Sequence, residues 1–358
     1  MSDRSFPRGR NLPRFESRDF RNLEVRHMAD LKKVLMVFTG GNISTRLSKK
    51  ALELGTAPFA VLDAAGKFGK DFTIIEPVDV CSENFTPPMY KVLFDSMKNE
   101  LDKGGYGCVL VAHGANTMAY TAQLADLLLS GYEIPIVFFG SKIAPTEEDS
   151  DAVTNLKAAY ALAMEVDKGV YVVGKAADGK IYVHYAGYIM TPNRKTDDYA
   201  SYKNRVAGKI SGKKFIPNEG VVPPEECPNA MKNLRALGKL MTLPKEDTIL
   251  TIGAPVCISY DNYSIARSDY KYVLQRLHHD GTVNTLSEDN PFSILYLKKA
   301  CDHYGKQVFV APIDSAMVPS PSTKAILAAK IRPLYDMPLE AAWAYLMLST
   351  WLGKLIKK

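Results

Sequence analysis

Three short runs gather the side chains of this 358-residue chain that could do chemistry: Thr39-Gly40-Gly41-Asn42, Cys81-Ser82-Glu83-Asn84 and His113-Gly114-Ala115-Asn116-Thr117. A hydroxyl attacks a carbonyl only when a proton acceptor lies within hydrogen-bond reach, so the test for each residue is whether it can attack or accept. Asn42 can do neither, because its nitrogen is conjugated to its carbonyl and its oxygen is a poor nucleophile. Ser44 and Thr45, two and three residues further on, either supply a displaced nucleophile or cap the local turn. Thr117 is read as the N-cap of a following helix or as a ligand contact. His113 reads as a packed, hydrogen-bonded histidine, with general base as the competing role.

The segments around these runs alternate in type. Apolar strands are expected at 34–38, 72–75, 107–112, 135–139 and 169–173, with helical periodicity near 88–102, 117–130 and 151–166. Continuous apolar strands separated by amphipathic helices imply an open, mostly parallel α/β sheet covered on both faces. Ligands of such sheets sit beyond the carboxyl ends of the strands, where the three runs fall. Residues 180–187 suit a hairpin strand. The Gly-, Pro- and Lys-rich stretch 204–246 reads as a linker with little structure. A second, smaller α/β pattern follows, with strands near 247–252, 282–286 and 307–311 and helices near 291–304 and 338–353. In the last helix Leu339, Ala342, Trp343, Leu346 and Leu348 fall close to one face. The organisation read from this is a basic extension 1–32, an N-terminal α/β domain 33–203 carrying the site loops, the linker 204–246, and a C-terminal α/β domain 247–358.

Composition narrows the function classes. The formal charge is +6, and residues 1–33 carry nine basic against five acidic side chains, so most of the excess lies in the leader. A basic arm can bind nucleic acid, but the alternating signs and the three rings Phe6, Phe15 and Phe20 fit a solvated terminus better. Met28 is a candidate natural start, which would make residues 1–27 an extension. No stretch approaches the roughly 20 apolar residues of a membrane span, and a cytoplasmic location is expected. The five cysteines are odd in number and widely spaced, which suits free thiols. No His-Glu-x-x-His, Cys-x-x-Cys or acidic calcium loop occurs, so neither a catalytic metal nor another cofactor is expected.

The strand-end loops, in this order and at these separations, resemble the bacterial-type L-asparaginase/glutaminase family. That family opens with Thr-Gly-Gly-Thr-Ile after a strand, where this chain has Thr39-Gly40-Gly41-Asn42-Ile43. Its His-Gly-Thr-Asp-Thr-Met is matched by His113-Gly114-Ala115-Asn116-Thr117-Met118, followed by Tyr120-Thr121-Ala122. Gly140-Ser141, Ser150-Asp151-Ala152 with Asn155-Leu156, and Asp336-Met337-Pro338-Leu339-Glu340 continue the likeness over roughly residues 33–354. The resemblance implies a two-domain fold and attack on a side-chain carboxamide by the threonine after Gly-Gly. A tyrosine assists, and a second threonine, an aspartate and a lysine handle protons.

Carried over residue by residue, the nucleophile's position holds Asn42, the second threonine's Ala115 and the aspartate's Asn116. No tyrosine stands between residues 42 and 62, and Thr56 is nearest by spacing. The lysine falls at Met190 or at Asn193, with Arg194 and Lys195 close enough to be displaced substitutes. Recognition is better kept: the family loop that grips the α-carboxylate and α-amino groups is matched by Ser82, with Glu83 in place of glutamine, so that a ligand-binding set of Gly41, Ser82, Glu83, Gly114 and Asn116 is implied. A carboxylate at 83 can take over the ammonium contact surrendered at Asn116. Three readings follow. The first is a non-hydrolytic protein binding an amino-acid-like ligand. The second is an amidohydrolase rebuilt around Ser44, Thr45, Thr56, Thr117 or a bound water, with Glu83 as a possible base. The third is an RNA-associated amidotransferase-like subunit, with RNA reached through the basic arm. The family likeness also implies a homodimer or homotetramer.

Overall fold

The structure is a computed structural model that describes residues 33–48, 51–53, 59–224, 248–254, 256–267 and 269–353. The N-terminal extension, Thr56 and all of 225–246 therefore lie outside the described residues.

The large sheet grows from strands whose side chains are apolar on both faces. In chain order its strands and the short ones beside them are β1 (Lys33–Phe38), the ribbon β2 (Arg46–Ser48) and β3 (Ala51–Glu53), β4 (Thr73–Ile75), β5 (Tyr106–Ala112), β6 (Pro135–Phe139), β7 (Gly169–Lys175), β8 (Ile181–Tyr185), the pair β9 (Ile189–Met190) and β10 (Ala200–Ser201), β11 (Val206–Ser211) and β12 (Lys214–Pro217). The eight-stranded order is β12-β11-β8-β7-β6-β5-β1-β4. Strands β4, β1, β5, β6 and β7 run parallel, and β8, β11 and β12 continue antiparallel.

The period of two divides each central strand between two cores. Leu35, Val37, Val109, Val111 and Phe138 face helices α2 (Pro87–Lys103) and α3 (Met118–Leu129). Met36, Phe38, Leu110 and Phe139 face α1 (Ala60–Ala65) and α4 (Ala152–Glu165). Burying each such side chain contributes roughly 1.5–3 kcal/mol, which fixes the register and with it the strand ends.

The described first part of the stretch expected to be a linker, 204–224, departs from that expectation. Residues 206–217 form the hairpin β11–β12, which extends the sheet to its edge with Gly208 opposite Pro217. Its lysines point to an exposed edge strand, where charge discourages further pairing, and so it looks linker-like in composition.

A second sheet has the parallel order β13 (Leu250–Ile252), β14 (Tyr272–Arg276), β15 (Gln307–Ile313), β16 (Arg332–Tyr335). The strand expected at 282–286 is not one; β14 lies ten residues earlier, and Leu286 is exposed. Helices α5 (Ile294–His303) and α6 (Pro321–Ala328) accompany this sheet. The last helix, α7 (Leu339–Trp351), is buried almost all round rather than on one face, from Glu340 through Trp351 with few exceptions. It shares a core with Leu124 and Leu127 of α3 and with Leu274 and Phe309 of the small sheet, and a helix packed on two sides needs no polar stripe. Among the described residues no helix is long and apolar enough to cross a membrane.

Candidate functional site

Beyond Phe38 the chain must turn sharply while staying attached to β5. Thr39 does the attaching: its N–H and its Oγ1 both donate to the Ala112 carbonyl, each at 3.1 Å. Gly41 then adopts φ 78° and ψ −173°, a conformation only glycine enters without strain. A Cβ there would stand 2.4 Å from the Gly114 Cα, and one at Gly114 would stand 2.7 Å from the Ser82 Oγ. The three runs singled out in the sequence therefore pack against one another at the carboxyl end of the sheet.

Asn42 opens a one-turn 3-10 helix, Asn42–Ser44. Its carbonyl accepts from the Thr45 N–H at 3.2 Å and from Thr45 Oγ1 at 2.9 Å, so the Thr45 hydroxyl is engaged locally. The Asn42 Nδ2 donates to the Lys142 carbonyl at 3.4 Å. Thr117 occupies the N-cap position of α3 but makes no side-chain cap bond; its hydroxyl donates to the Ser82 carbonyl at 2.7 Å and ties the two loops together. Ser44, Ser82 and Ser141 are buried, and their hydroxyls have no hydrogen-bond partner among the described residues. Glu83 and Asn116 are exposed on the same two loops, and Ala115 is half-buried.

His113 is wholly buried against Phe85 and Phe138, with its Nδ1 bonded to the Gly114 carbonyl at 2.8 Å. Burial lowers its pKa to about 4, so it is neutral at pH 7 and serves the turn. Burial, then the charges of Glu83 and Asp79, push the Cys81 thiol up, away from a reactive thiolate. The Tyr199 hydroxyl donates to the Ala115 carbonyl at 3.3 Å, and burial, with Asp151 and Asp197 nearby, pushes its phenol far up.

The lysine that reaches these loops is not among the sequence candidates. Lys195 is exposed, and among the described residues its backbone N–H alone is engaged, donating to the Asn193 side chain at 2.8 Å. Lys142, from the loop after β6, sends its Nζ to Asp198 at 2.8 Å and to the Thr196 carbonyl at 3.0 Å, while its N–H donates to Asp151 at 2.9 Å. Burial pushes the Asp198 carboxyl up, but the bonds from Lys142, the Ala177 N–H and Thr196, with the lysine's charge, outweigh it and hold it below the usual range. Lys142, Asp198, Tyr199, Ser141 and Ala115 line a cavity of about 20 Å³, room for one water-sized molecule. The only signal for Lys142 in the sequence is its place directly after Gly140-Ser141, a pair that matches the family pattern.

Among the described residues, the site offers buried hydroxyl donors with no base hydrogen-bonded to them. A serine can attack only if a base lies within reach, and the partnerless Ser44, Ser82 and Ser141 hydroxyls are hydrogen-bonded to neither His113 nor Lys142. Among the described residues no group of three or more His, Cys, Asp or Glu side chains is placed to hold a metal ion.

Comparison with known proteins gives a consistent picture. A family model described as the N-terminal domain of asparaginase matches residues 33–214. A glutamyl-tRNA(Gln) amidotransferase subunit of Methanococcus maripaludis is 32% identical over 165 residues, 43% of this chain and 38% of that protein. The protein of the same description from Saccharolobus islandicus is 31% identical over 162 residues, 43% of this chain and 36% of its own length. The chain thus matches well under half the length of these relatives. Among solved structures, the thermostable L-asparaginase of Thermococcus kodakarensis superposes with a TM-score of 0.66 at 18% identity, covering 89% of this chain and 93% of that one. A probable cytoplasmic L-asparaginase of Campylobacter jejuni gives 0.68 at 18% identity, covering 91% and 96%. At that identity the likeness is one of fold.

Proposed function

This chain belongs to the asparaginase family, and we propose that its site binds a small amino-acid-like molecule without hydrolysing asparagine by hydroxyl attack. The observation that carries this is the set of three buried serine hydroxyls without partners, Ser44, Ser82 and Ser141, beside an asparagine in the nucleophile's position. Buried hydroxyls without partners cost roughly 1–3 kcal/mol each, and a ligand that bonds to them recovers it. Unengaged by any base, the same hydroxyls are recognition groups rather than nucleophiles. A rebuilt amidohydrolase that attacks through a side-chain hydroxyl would need a serine or threonine bonded to a proton acceptor. Ser44 has none, and Thr45 and Thr117 donate to backbone carbonyls. Thr56 lies outside the described residues.

The relatives named as an amidotransferase subunit favour a second reading, in which the chain works as one part of an RNA-associated amidotransferase-like assembly. A homodimer or homotetramer is the state proposed from the family likeness, and the solved structure described as cytoplasmic supports that location.

Titration calorimetry of the purified chain with a panel of L-amino acids tests the first reading. The expected outcome is saturable binding of at least one of them, weakened about tenfold or more by Ser82→Ala, the loss expected for one hydrogen bond to a charged group. Absence of binding across the panel would remove the reading and leave the amidotransferase reading to be pursued.

A further inference from the structure

Away from the strand-end loops, we infer that the outer face of α4 carries a second binding site, a groove for the alkyl chain of a fatty-acid-like carboxylate.

Helical periodicity leads to this. Leu156, Ala159, Leu162 and Ala163 form the stripe by which α4 packs into the core beside the sheet. Positions 157, 158, 161, 164 and 165 fall on the opposite side of the helix, the side expected to be polar. Lys157 and Glu165 meet that expectation at the two ends, but Ala158, Ala161 and Met164 stand between them, and Met164 is 51% exposed. Two alanines where a surface helix usually carries long side chains leave a trough. Its walls come from other elements: the ring of Phe68, Ile181 of β8, and the Gly212-Lys213 turn between β11 and β12. The rings are braced, with Phe68 edge-on to Tyr160 at 5.2 Å between centroids and Phe72 stacked on Tyr160 at 6.0 Å. The cavity bounded in this way measures about 790 Å³, within the roughly 300–1,000 Å³ of small-molecule sites.

The charges select the ligand. Lys157 and Lys213 both line the groove, and among the described residues neither ammonium group is in an ion pair. Glu165 is the carboxylate of the lining, but it stands two turns along α4 from Lys157, about 12 Å, beyond the screening length at physiological salt. An uncharged guest would leave both ammonium groups unused. A carboxylate at the head of an alkyl chain has a partner in either lysine, while the chain covers Ala158, Ala161, Met164 and the rings. A trough that follows the helix axis suits an unbranched chain better than a compact guest.

The test is calorimetric titration of the full chain with hexanoate, octanoate and decanoate below their micellar concentrations. One molecule is expected to bind per chain, about tenfold tighter for every two methylenes added, as for methylenes buried one by one. Ala161→Trp, which fills the trough, should weaken decanoate at least tenfold. Should that variant fail to fold by circular dichroism, the double variant Lys157→Gln with Lys213→Gln decides, since both side chains are exposed. It should weaken decanoate about fivefold and leave 1-octanol within about twofold, the scale of two partly solvated ion pairs. Absence of saturable binding by all three carboxylates would overturn the inference, as would an affinity indifferent to a folded Ala161→Trp. Decanoate binding unchanged in the lysine variant would overturn the assignment of an anion. If no carboxylate binds and Ala161→Trp instead lowers the oligomeric state in sedimentation, the groove is a contact between copies and the inference falls.

Discussion

At the carboxyl end of the large sheet Ser44, Ser82 and Ser141 are buried with no partner among the described residues, whereas at the corresponding end of the small sheet the polar groups are taken. Gln275 donates from Nε2 to the carbonyls of Gly253 and Arg276 and accepts from the Tyr260 hydroxyl at 3.0 Å. Asp314 and Asp336, just past β15 and β16, both pair with Lys203, at 2.9 and 2.7 Å, and Ser315 bonds to Asp336. Both ends have the topology that gathers loops, but among the described residues only the first has buried side-chain hydroxyls left without a partner. Topology alone does not single out a binding site, and it is the unspent polar groups on which the proposal of one rests.

The sharpest way to separate the two ends is to crowd a glycine at each. Gly41→Ala forces a Cβ to within 2.4 Å of backbone in a conformation reserved for glycine, and a loss of more than about 3 kcal/mol in urea unfolding is expected. Gly281 also has a positive φ, 72°, but its Cβ would meet the flexible end of Met317 at 2.7 Å, so about 1–2 kcal/mol is expected. Equal losses would mean that the close contact of the first site's loops is not special.

A smaller effect is expected from acid. Burial pushes the Asp336 carboxyl up, but hydrogen bonds from Lys203 and Ser315 and the lysine's charge overcome this and hold it at about 2. With a folded pKa below the unfolded one near 3.9, the stability from this pair is fully present above about pH 4 and is lost as pH falls toward 2. Lys203→Met should remove about 1–2 kcal/mol at pH 7, less than full linkage because both side chains are partly solvated, and should flatten the acid limb of stability against pH. An unchanged limb would show that the small sheet's strand ends are not held this way.

Much of this contrast is legible in the sequence, for physical reasons. Strands β1, β5 and β6 are buried on both faces, so they appear as unbroken apolar runs, and the loops they end in carry the family's pattern. The hairpin β11–β12 escapes such a reading because an edge strand rich in lysine and glycine has the composition of a loop. Strand β14 escapes it although Tyr272-Val273-Leu274 is an apolar run, because Thr282-Val283-Asn284-Thr285-Leu286 alternates in a strand-like way without burying one face. Helix α7 reads as one-sided because its burial between α3 and the small sheet is a tertiary fact. In the site, Asn42, Ala115 and Asn116 stand out through motif positions, and Ser82 and Gly114 likewise. Lys142 does not, because its partner Asp198 is 56 residues away and only the fold joins them.

If, as proposed, this site holds a ligand by its spare hydroxyls and hydrolyses no amide, the purified chain should leave asparagine and glutamine intact. Ammonia release from L-asparagine and L-glutamine, with Ser82→Ala as control, tests this most directly. The predicted result is no release above that of buffer. Release at an ordinary enzymatic rate, on the order of 1 s⁻¹ or faster and dependent on Ser82, would contradict it.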